Sequence, residues 1–304
     1  MPELPEMENY RALLDERIVG HEISDVIIGR EKSINMKPDE FARITRQHKI
    51  VNVERRAKYL IFHLENGYQL LLHLMLGGWM FYGKESEKPK RTVQVQLSFG
   101  ENNLYFIGLR LGYLHVHTRE TLHKELMSLG PEPLDKTFTV DIFMQIIAKH
   151  KGALKTTLLK QDVIVGIGNR YSDEILWQAK LLPHKKASTL AETEIRQLFS
   201  SIQDILRQAI ASGGYMENRL FIGDSHTGGY AKMMYVHDRE GEPCKRCGHP
   251  SRKLKCHHMR HFIVGNVRFN KSICKVNGGI SVRTVSVSKV RSPNLFAALL
   301  HLPN

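Results

Sequence analysis

Short apolar runs, not long ones, punctuate the first 128 residues. One helix is predicted at the start. Pro5 suits a first helical turn, and Met7, Tyr10, Leu13, Leu14 and Ile18 recur at helical spacing. The segments EISDVIIG, KIVNV, KYLIFHL, YQLLLHL, VQVQLSF, NLYFIG and GYLHVH then read as strands. VQVQLSF alternates apolar and polar positions as a half-buried strand does. Many short strands separated by turn residues predict a sandwich or barrel. LGPEPLDKT, residues 129–137, carries two prolines and a glycine and reads as a linker. Beyond it the period becomes helical, over 138–149, 153–160, 171–180 and 190–212. The last of these helices is predicted to start at a capping box, Thr189 with Glu192. It should bury Ile195, Leu198, Phe199, Ile202 and Leu206 and stop at Gly213-Gly214. Residues 213–240 are rich in Gly and Tyr and long enough to be a functional loop. The pattern predicts an α+β multidomain chain. Residues 1–128 form an N-terminal β-sandwich with a leading helix, 129–137 a linker, and 138–240 a helical domain with its loop.

Composition narrows the class. Hydrophobic residues are 42% and charged residues 25% of 304, which excludes disordered and collagen-like chains. The most apolar stretch, YQLLLHLMLGGWMF, is broken by His73 and two glycines and is too short to span a bilayer. The start, MPELPEMENY, has no apolar signal core, and four cysteines do not make a disulfide scaffold, so a cytosolic protein without membrane contact is expected. The net charge of +13 suggests a polyanionic partner. Its distribution weakens that inference: residues 241–304 hold twelve Lys/Arg against one acid, Glu242, and the first 240 residues are left with only +2. Specific residues must carry any nucleic-acid function.

Three segments hold candidate chemistry. Removal of Met1 from MPELPE would leave Pro2 as an N-terminal secondary amine. An α-amino group titrates near pH 8, so a neutral fraction can attack an aldehyde carbon and form an iminium. Glu3 and Glu6 stand beside it as proton carriers. Taken alone, the segment also reads as an ordinary acidic helix start. In KQDVIVGIGNRYSDEILWQA, residues 160–179, a Gly-rich turn precedes a helix, an arrangement that can bind phosphate or form a plain helix–turn–helix corner. Lys155 lies one turn upstream. Cys244-Lys245-Arg246-Cys247-Gly248 is half of a zinc ribbon. The further candidates Cys256, His257, His258, His261 and Cys274 supply no second CxxC.

In this order, MPELPE, RRAKYL (55–60), LLKQ with GIGNRYSDEILWQA, and REGEPCKRCG resemble the bacterial formamidopyrimidine-DNA glycosylase and endonuclease VIII family over residues 1 to about 255. The resemblance implies a helix-two-turn-helix domain, a C-terminal zinc finger with one structural Zn(2+), and a monomer acting on double-stranded damaged DNA. It implies a bifunctional DNA glycosylase and AP lyase that removes oxidised bases and cuts by β,δ-elimination. Pro2 would attack C1′, Glu3 would protonate the sugar oxygen, and Lys58 would lie at the lesion phosphate or sugar. Asn169, with Lys155, would hold phosphates. A non-catalytic or finger-disabled DNA-binding protein of the same fold is the alternative.

The chain departs from that family at two places. The segments resembling HLGMSG and RRFG read HLMLGG and LRLG. Leu76 and Leu111 therefore stand where Met and Phe would fill the hole left by the extruded base. Leu109, followed by Arg110, stands at the arginine position. Oxidised pyrimidines thereby compete with guanine lesions as substrates. The second departure is the C-terminus, where residues 257–304 hold seven Lys/Arg and no acid. HFIVGNVRF, read one frame over with codons chosen among synonyms, becomes L-Y-C-R-K-C-Q-V and then a stop. This returns a CxxC near position 264, where the family places its second one. The expectation is a degenerate finger over 241–264 and an out-of-frame tail over 265–304, with residues 257–304 poorly ordered and without a packed core.

Overall fold

The computed structural model describes residues 1–256 and 259–263. Helix α1 (Leu4–Ile18) opens the chain with Pro5 in its first turn, and the Glu3 N–H donates to Glu6 Oε2 at 2.9 Å. Eight strands follow: β1 (Asp25–Ile28), β2 (Ile50–Arg56), β3 (Tyr59–Leu64), β4 (Gln69–His73), β5 (Trp79–Lys84), β6 (Val93–Phe99), β7 (Asn102–Ile107) and β8 (Tyr113–His117). They form two four-stranded antiparallel sheets, ordered β1-β6-β7-β5 and β2-β3-β4-β8. Leu60, Phe62, Leu70 and Leu72 of one sheet and Val95, Leu97, Leu104 and Phe106 of the other share one buried core with Met7, Tyr10, Leu14 and Ile18 of α1. The predicted sandwich with its leading helix is present. Short helices α2 (Pro38–Thr45) and α3 (Arg119–Leu126) flank it.

VQVQLSF is buried on both faces, not on one. Its polar positions form a network: Gln96 Nε2 and Ser98 Oγ donate to Asn103 Oδ1 at 3.0 and 2.6 Å, and Gln94 Oε1 accepts the Leu109 N–H at 3.1 Å. Buried polar groups paired in this way avoid the cost of unmet hydrogen bonds. The apolar/polar alternation is therefore real, but the polar face lies inside.

The second core belongs to α4 (Val140–Ala148), α5 (Leu154–Leu158), α6 (Asn169–Gln178) and α7 (Glu192–Ala211). Leu198, Ile202 and Leu206 are buried and Ile195 and Phe199 pack against them, as the stripe predicts. The predicted cap is displaced. Ala191 caps α7, and its N–H donates to Glu194 Oε2 at 2.9 Å. Residues 129–137 are not a loose linker either, because Gly130 N–H donates to Gln161 O and Val165 N–H to Pro131 O. The two cores also exchange residues. Leu4 packs in the helical core, and Leu220, from the long loop, packs in the sandwich.

The loop from Gly213 to Glu240 is pinned at several points. Tyr82 N–H donates to Leu220 O, and buried Asp224 accepts the N–H groups of Leu220, His226 and Thr227. Buried Glu174 on α6 accepts the N–H groups of Tyr235, Val236 and His237. Past the Cys244–Cys247 turn, β9 (Arg252–Cys256) pairs with β10 (Met259–Ile263) in an antiparallel hairpin beside α6. Within the stretch expected to be poorly ordered, residues 259–263 form a strand. The expectation for 265–304 lies outside the described residues. No helix among the described residues is long and apolar enough to cross a membrane.

Candidate active site and nucleic-acid face

The chain's N-terminus lies between the two cores. Pro2 is buried and Leu4 anchors the segment, with its N–H donating to Gly166 O at 2.9 Å. The Glu3 carboxylate sits on the N-terminus of α6. It accepts the N–H groups of Gly168 (2.6 Å), Arg170 (3.0 Å) and Tyr171 (3.3 Å). The GIGN turn makes this possible by its glycines. A Cβ at Gly168 would stand 2.4 Å from Glu3 Cδ, and one at Gly166, whose φ is +83°, would stand 2.6 Å from Leu4 Cβ. The Gly-rich turn and helix N-terminus do bind an anion. That anion is the protein's own Glu3 side chain.

Glu6 completes the arrangement. Its Oε1 accepts the Tyr171 hydroxyl (2.6 Å) and the Tyr215 N–H (2.8 Å). Burial, with the neighbouring Glu3 charge, pushes its pKa up to about 7. Lys58 is buried beside these carboxylates, and burial lowers its pKa although Glu3 and Glu6 oppose the shift. The Tyr215 hydroxyl donates to Met1 O at 2.8 Å. At the terminal amine of the full chain, burial outweighs Glu3 and draws the pKa below 8.0. The predicted trio of Pro2, Glu3 and Lys58 is therefore brought together. Sequence reading missed Tyr171 and Tyr215, because nothing local marks tyrosines whose hydroxyls reach Glu6 and the Met1 carbonyl from 165 and 214 residues away.

The phosphate-binding residues divide. Asn169 is exposed at the first turn of α6. Lys155 corrects its expectation: it is fully buried, and Nζ donates to Asp173 Oδ1 at 2.6 Å. Asp173 Oδ2 in turn lies 2.7 Å from His237 Nδ1. Lys155 thus fastens α5 to α6 and presents no surface to a phosphate. Arg170 lies beside Asn169, stacked on the Tyr215 ring at 4.3 Å and paired with Asp238 at 2.8 Å. It lines a cavity of about 530 Å³ shared with Met216, Glu217, Asn218 and Met234.

Leu76 and Leu111 are among the most exposed large apolar residues, at 68% and 63%. Their turns touch, because a Cβ on Gly108 would fall 2.1 Å from Gly77 O. Arg110, next to Leu111 in sequence, is exposed, whereas Leu109 is wholly buried and cannot reach a base. Two adjacent exposed leucines suit insertion into a base stack. Leu76→Ala and Leu111→Ala should each lower excision about tenfold, since each removes most of a leucine's burial in the complex. The melting temperature should stay within a degree or two, because neither side chain packs in the free protein. A matching fall in stability would show that these leucines support the fold.

His73, at the end of β4, is a further residue that sequence reading did not single out. Burial, helped by the Lys58 charge, lowers its pKa to about 4, and His115 on β8 is lowered to about 4 mainly by burial. Both therefore bind protons more readily unfolded than folded between pH 4 and 6.5, and stability from them is lost as pH falls through that window. Glu6, raised to about 7, acts oppositely over pH 4.5 to 7. Two protons against one make the joint contribution of these three groups rise with pH from 4.5 to 6.5; the burial of His117 adds to that rise and the burial of Glu174 opposes it. His73→Gln should flatten that rise by about one proton in thermal melts across the window. An unchanged slope would refute the assignment.

The cysteine turn has the shape of a metal knuckle. Gly248, at φ +71°, donates to Cys244 O, and Cys244 N–H donates to His249 O. Burial works against the Cys244 thiolate, but the N–H groups of Arg246 and Cys247 outweigh it and lower the thiol pKa. Thiolate-favouring N–H groups suit a zinc ligand. Cys244 and Cys247 supply two of the four donors such a site needs, and no group of three or more candidate ligands occurs among the described residues. The turn is docked on α6: Trp177 stacks on Tyr235 at 4.3 Å, with Arg246 over Trp177 at 4.0 Å and Lys245 over Tyr235 at 5.2 Å.

Comparison with known proteins agrees with this geometry. Residues 1–113 match the formamidopyrimidine-DNA glycosylase N-terminal domain, and residues 129–219 match the formamidopyrimidine-DNA glycosylase H2TH domain. The chain belongs to the formamidopyrimidine-DNA glycosylase family. It is 35% identical to the formamidopyrimidine-DNA glycosylase of Desulfitobacterium hafniense over 253 residues, 82% of this chain and 93% of the relative. Among solved members of the family, it resembles a Lactococcus lactis FPG mutant in complex with a Fapy-dG containing DNA. That match has a TM-score of 0.81 at 28% identity and covers 86% of this chain and 98% of the other. The Lactococcus lactis Fpg bound to abasic-site DNA gives the same TM-score and identity, covering 86% and 97%. Both family domains meet at the N-terminal pocket, which Glu3 bonds to α6 across their boundary.

Proposed function

We propose that the protein is a monomeric, cytosolic DNA glycosylase of base-excision repair with AP lyase activity, acting on oxidised bases in duplex DNA. The observation that carries this reading is the convergence of the N-terminus, Glu3 and Lys58 in one buried pocket. With Met1 removed, the Pro2 nitrogen attacks C1′ of the lesion. The bond from C1′ to the base breaks, and the base leaves with the proton that the Pro2 nitrogen gives up on bonding to C1′. Glu3, in its protonated form, gives its proton to the ring oxygen as the bond from C1′ to that oxygen opens, and the nitrogen lone pair closes the iminium between Pro2 and C1′. Loss of a C2′ proton then expels the 3′ phosphate, and a second elimination expels the 5′ phosphate. Lys58 offsets charge at the lesion phosphate. Leu76 and Leu111 occupy the space left by the extruded base. Asn169 and Arg170 hold the strand from the start of α6. Zinc held by Cys244 and Cys247, with two further ligands, would supply folding energy to the finger. Cutting and borohydride trapping on duplexes carrying 8-oxoguanine, formamidopyrimidine, oxidised pyrimidine or an abasic site test the reading. A trapped adduct supports it. Tight binding of damaged duplex without any adduct would favour a non-catalytic DNA-binding protein.

A further inference from the structure

Lys58 is the second residue of a two-residue turn. β2 ends at Arg56 and β3 starts at Tyr59, its cross-strand partner. The other turn residue, Ala57, has φ +54°, a region where any side chain is strained and glycine is the usual occupant. The backbone angles of Ala57 set the direction in which the adjoining Lys58 side chain leaves the turn. The turn is restrained from outside the sandwich. Glu132, between two prolines of the 129–137 segment, reaches back across the domain boundary. Its Oε1 accepts the Ala57 N–H at 2.6 Å and Arg56 Nη1 at 3.0 Å, and its Oε2 accepts Arg55 Nη1 at 2.8 Å. Arg55 Nε continues to Glu8 Oε2 at 2.7 Å, on the helix that Glu3 immediately precedes. Arg56 Nη2 closes the other side on Gly130 O at 2.6 Å.

We propose that Glu132 is a positioning residue: it holds the Ala57–Lys58 turn, and through Arg55 and Glu8 fixes Lys58 relative to the N-terminal nucleophile. The proposal rests on the glycosylase and lyase reading for its consequence, but its geometry does not. The two arginines of RRAKYL are accordingly the clamp and not part of the DNA-facing chemistry. Prolines on both sides of Glu132 limit its backbone freedom, which suits a residue that must hold a fixed distance.

A double-mutant cycle tests it. Glu132→Gln keeps an acceptor for Ala57 but loses the charge that gathers both arginines. Single-turnover strand cutting should fall roughly 10- to 100-fold, the range expected when a reacting group shifts by about an ångström. Affinity for a duplex with an uncleavable abasic analogue should hold within about threefold. In a Lys58→Ala background the same change should cost nothing further, because Glu132 acts through Lys58. An equal loss in both backgrounds would mean a structural role only and would overturn the proposal.

A second readout is independent of activity. In lysine-labelled protein the Lys58 Cε resonance, assigned with Lys58→Arg, should titrate below the other lysines and move to their range in Glu132→Gln. An unmoved titration overturns the proposal whatever the enzyme does. If the resonance moves but wild type neither cuts nor traps DNA, the functional reading fails and the positioning stands. Should Glu132→Gln not fold, Glu132→Asp replaces it. That variant keeps the charge, shortens the reach by one methylene, and should shift the resonance in the same direction.

Discussion

Glu3→Gln is expected to lower base excision at least about 100-fold while changing cutting at a ready-made abasic site by less than about tenfold. The asymmetry follows from the order of events. Proton delivery to the sugar belongs to the opening of an intact nucleoside, whereas an abasic aldehyde reaches the Pro2 amine already open. The substitution is not isosteric in effect. Both carboxylate oxygens accept backbone N–H groups, Oε2 from Gly168 and Tyr171 and Oε1 from Arg170. A glutamine amide offers one oxygen and must turn its NH2 toward at least one of these donors. An unmet buried donor costs about 1–3 kcal/mol, so the melting temperature should fall as well. Parallel assays on a lesion duplex and an abasic duplex, corrected for the folded fraction at the assay temperature, separate the two effects. Equal loss of both activities after that correction would remove Glu3 from the proton-transfer role and leave it as the helix cap alone.

The parts of this protein that could be read from sequence are those encoded by local repetition. The early helix and the α7 stripe each repeat within one element, and their buried faces follow from that period, whereas the alternating run VQVQLSF is buried on both faces. Leu76 and Leu111 were legible only through the resemblance of HLMLGG and LRLG to the family's hole-filling segments. Three of the errors share a cause: each concerns a residue whose partner is distant in sequence. Lys155 carries a charge beside a Gly-rich turn, and charge alone suggests a phosphate. Its partner Asp173 lies 18 residues on, at the point where α6 crosses α5, and the pairing exists only in the folded chain. Gly166 and Gly168 read as a phosphate cradle because a cradle and a close helix approach ask the same of the backbone. Only the position of Leu4 and Glu3 distinguishes them. Glu132 was hidden inside a segment whose two prolines suggested a linker.

Retention of Met1 should abolish the borohydride-trapped adduct on an abasic duplex, reducing its yield at least about 100-fold relative to protein beginning at Pro2. Converting the proline nitrogen from amine to amide removes its lone pair from reaction, and the Met1 amine that remains is carried one residue farther out, on a residue 39% exposed where Pro2 is buried. Lys58 cannot substitute directly, because its turn is clamped by Glu132 and its charge is set against Glu3 and Glu6. The pocket favours a neutral amine at the chain terminus: burial draws the Met1 amine below 8.0, with Arg170 and Lys58 acting in the same direction against the two carboxylates. A terminus shortened by one residue lies deeper, since Pro2 is buried where Met1 is 39% exposed. The amine of the shortened chain should therefore titrate below the usual range, and adduct formation should rise with pH to a plateau beginning below pH 8. Mass spectrometry of the trapped peptide, with the two N-terminal forms assayed side by side, decides the matter. An adduct of equal yield from the Met1 form, or one mapped to Lys58, would transfer the nucleophile's role away from Pro2.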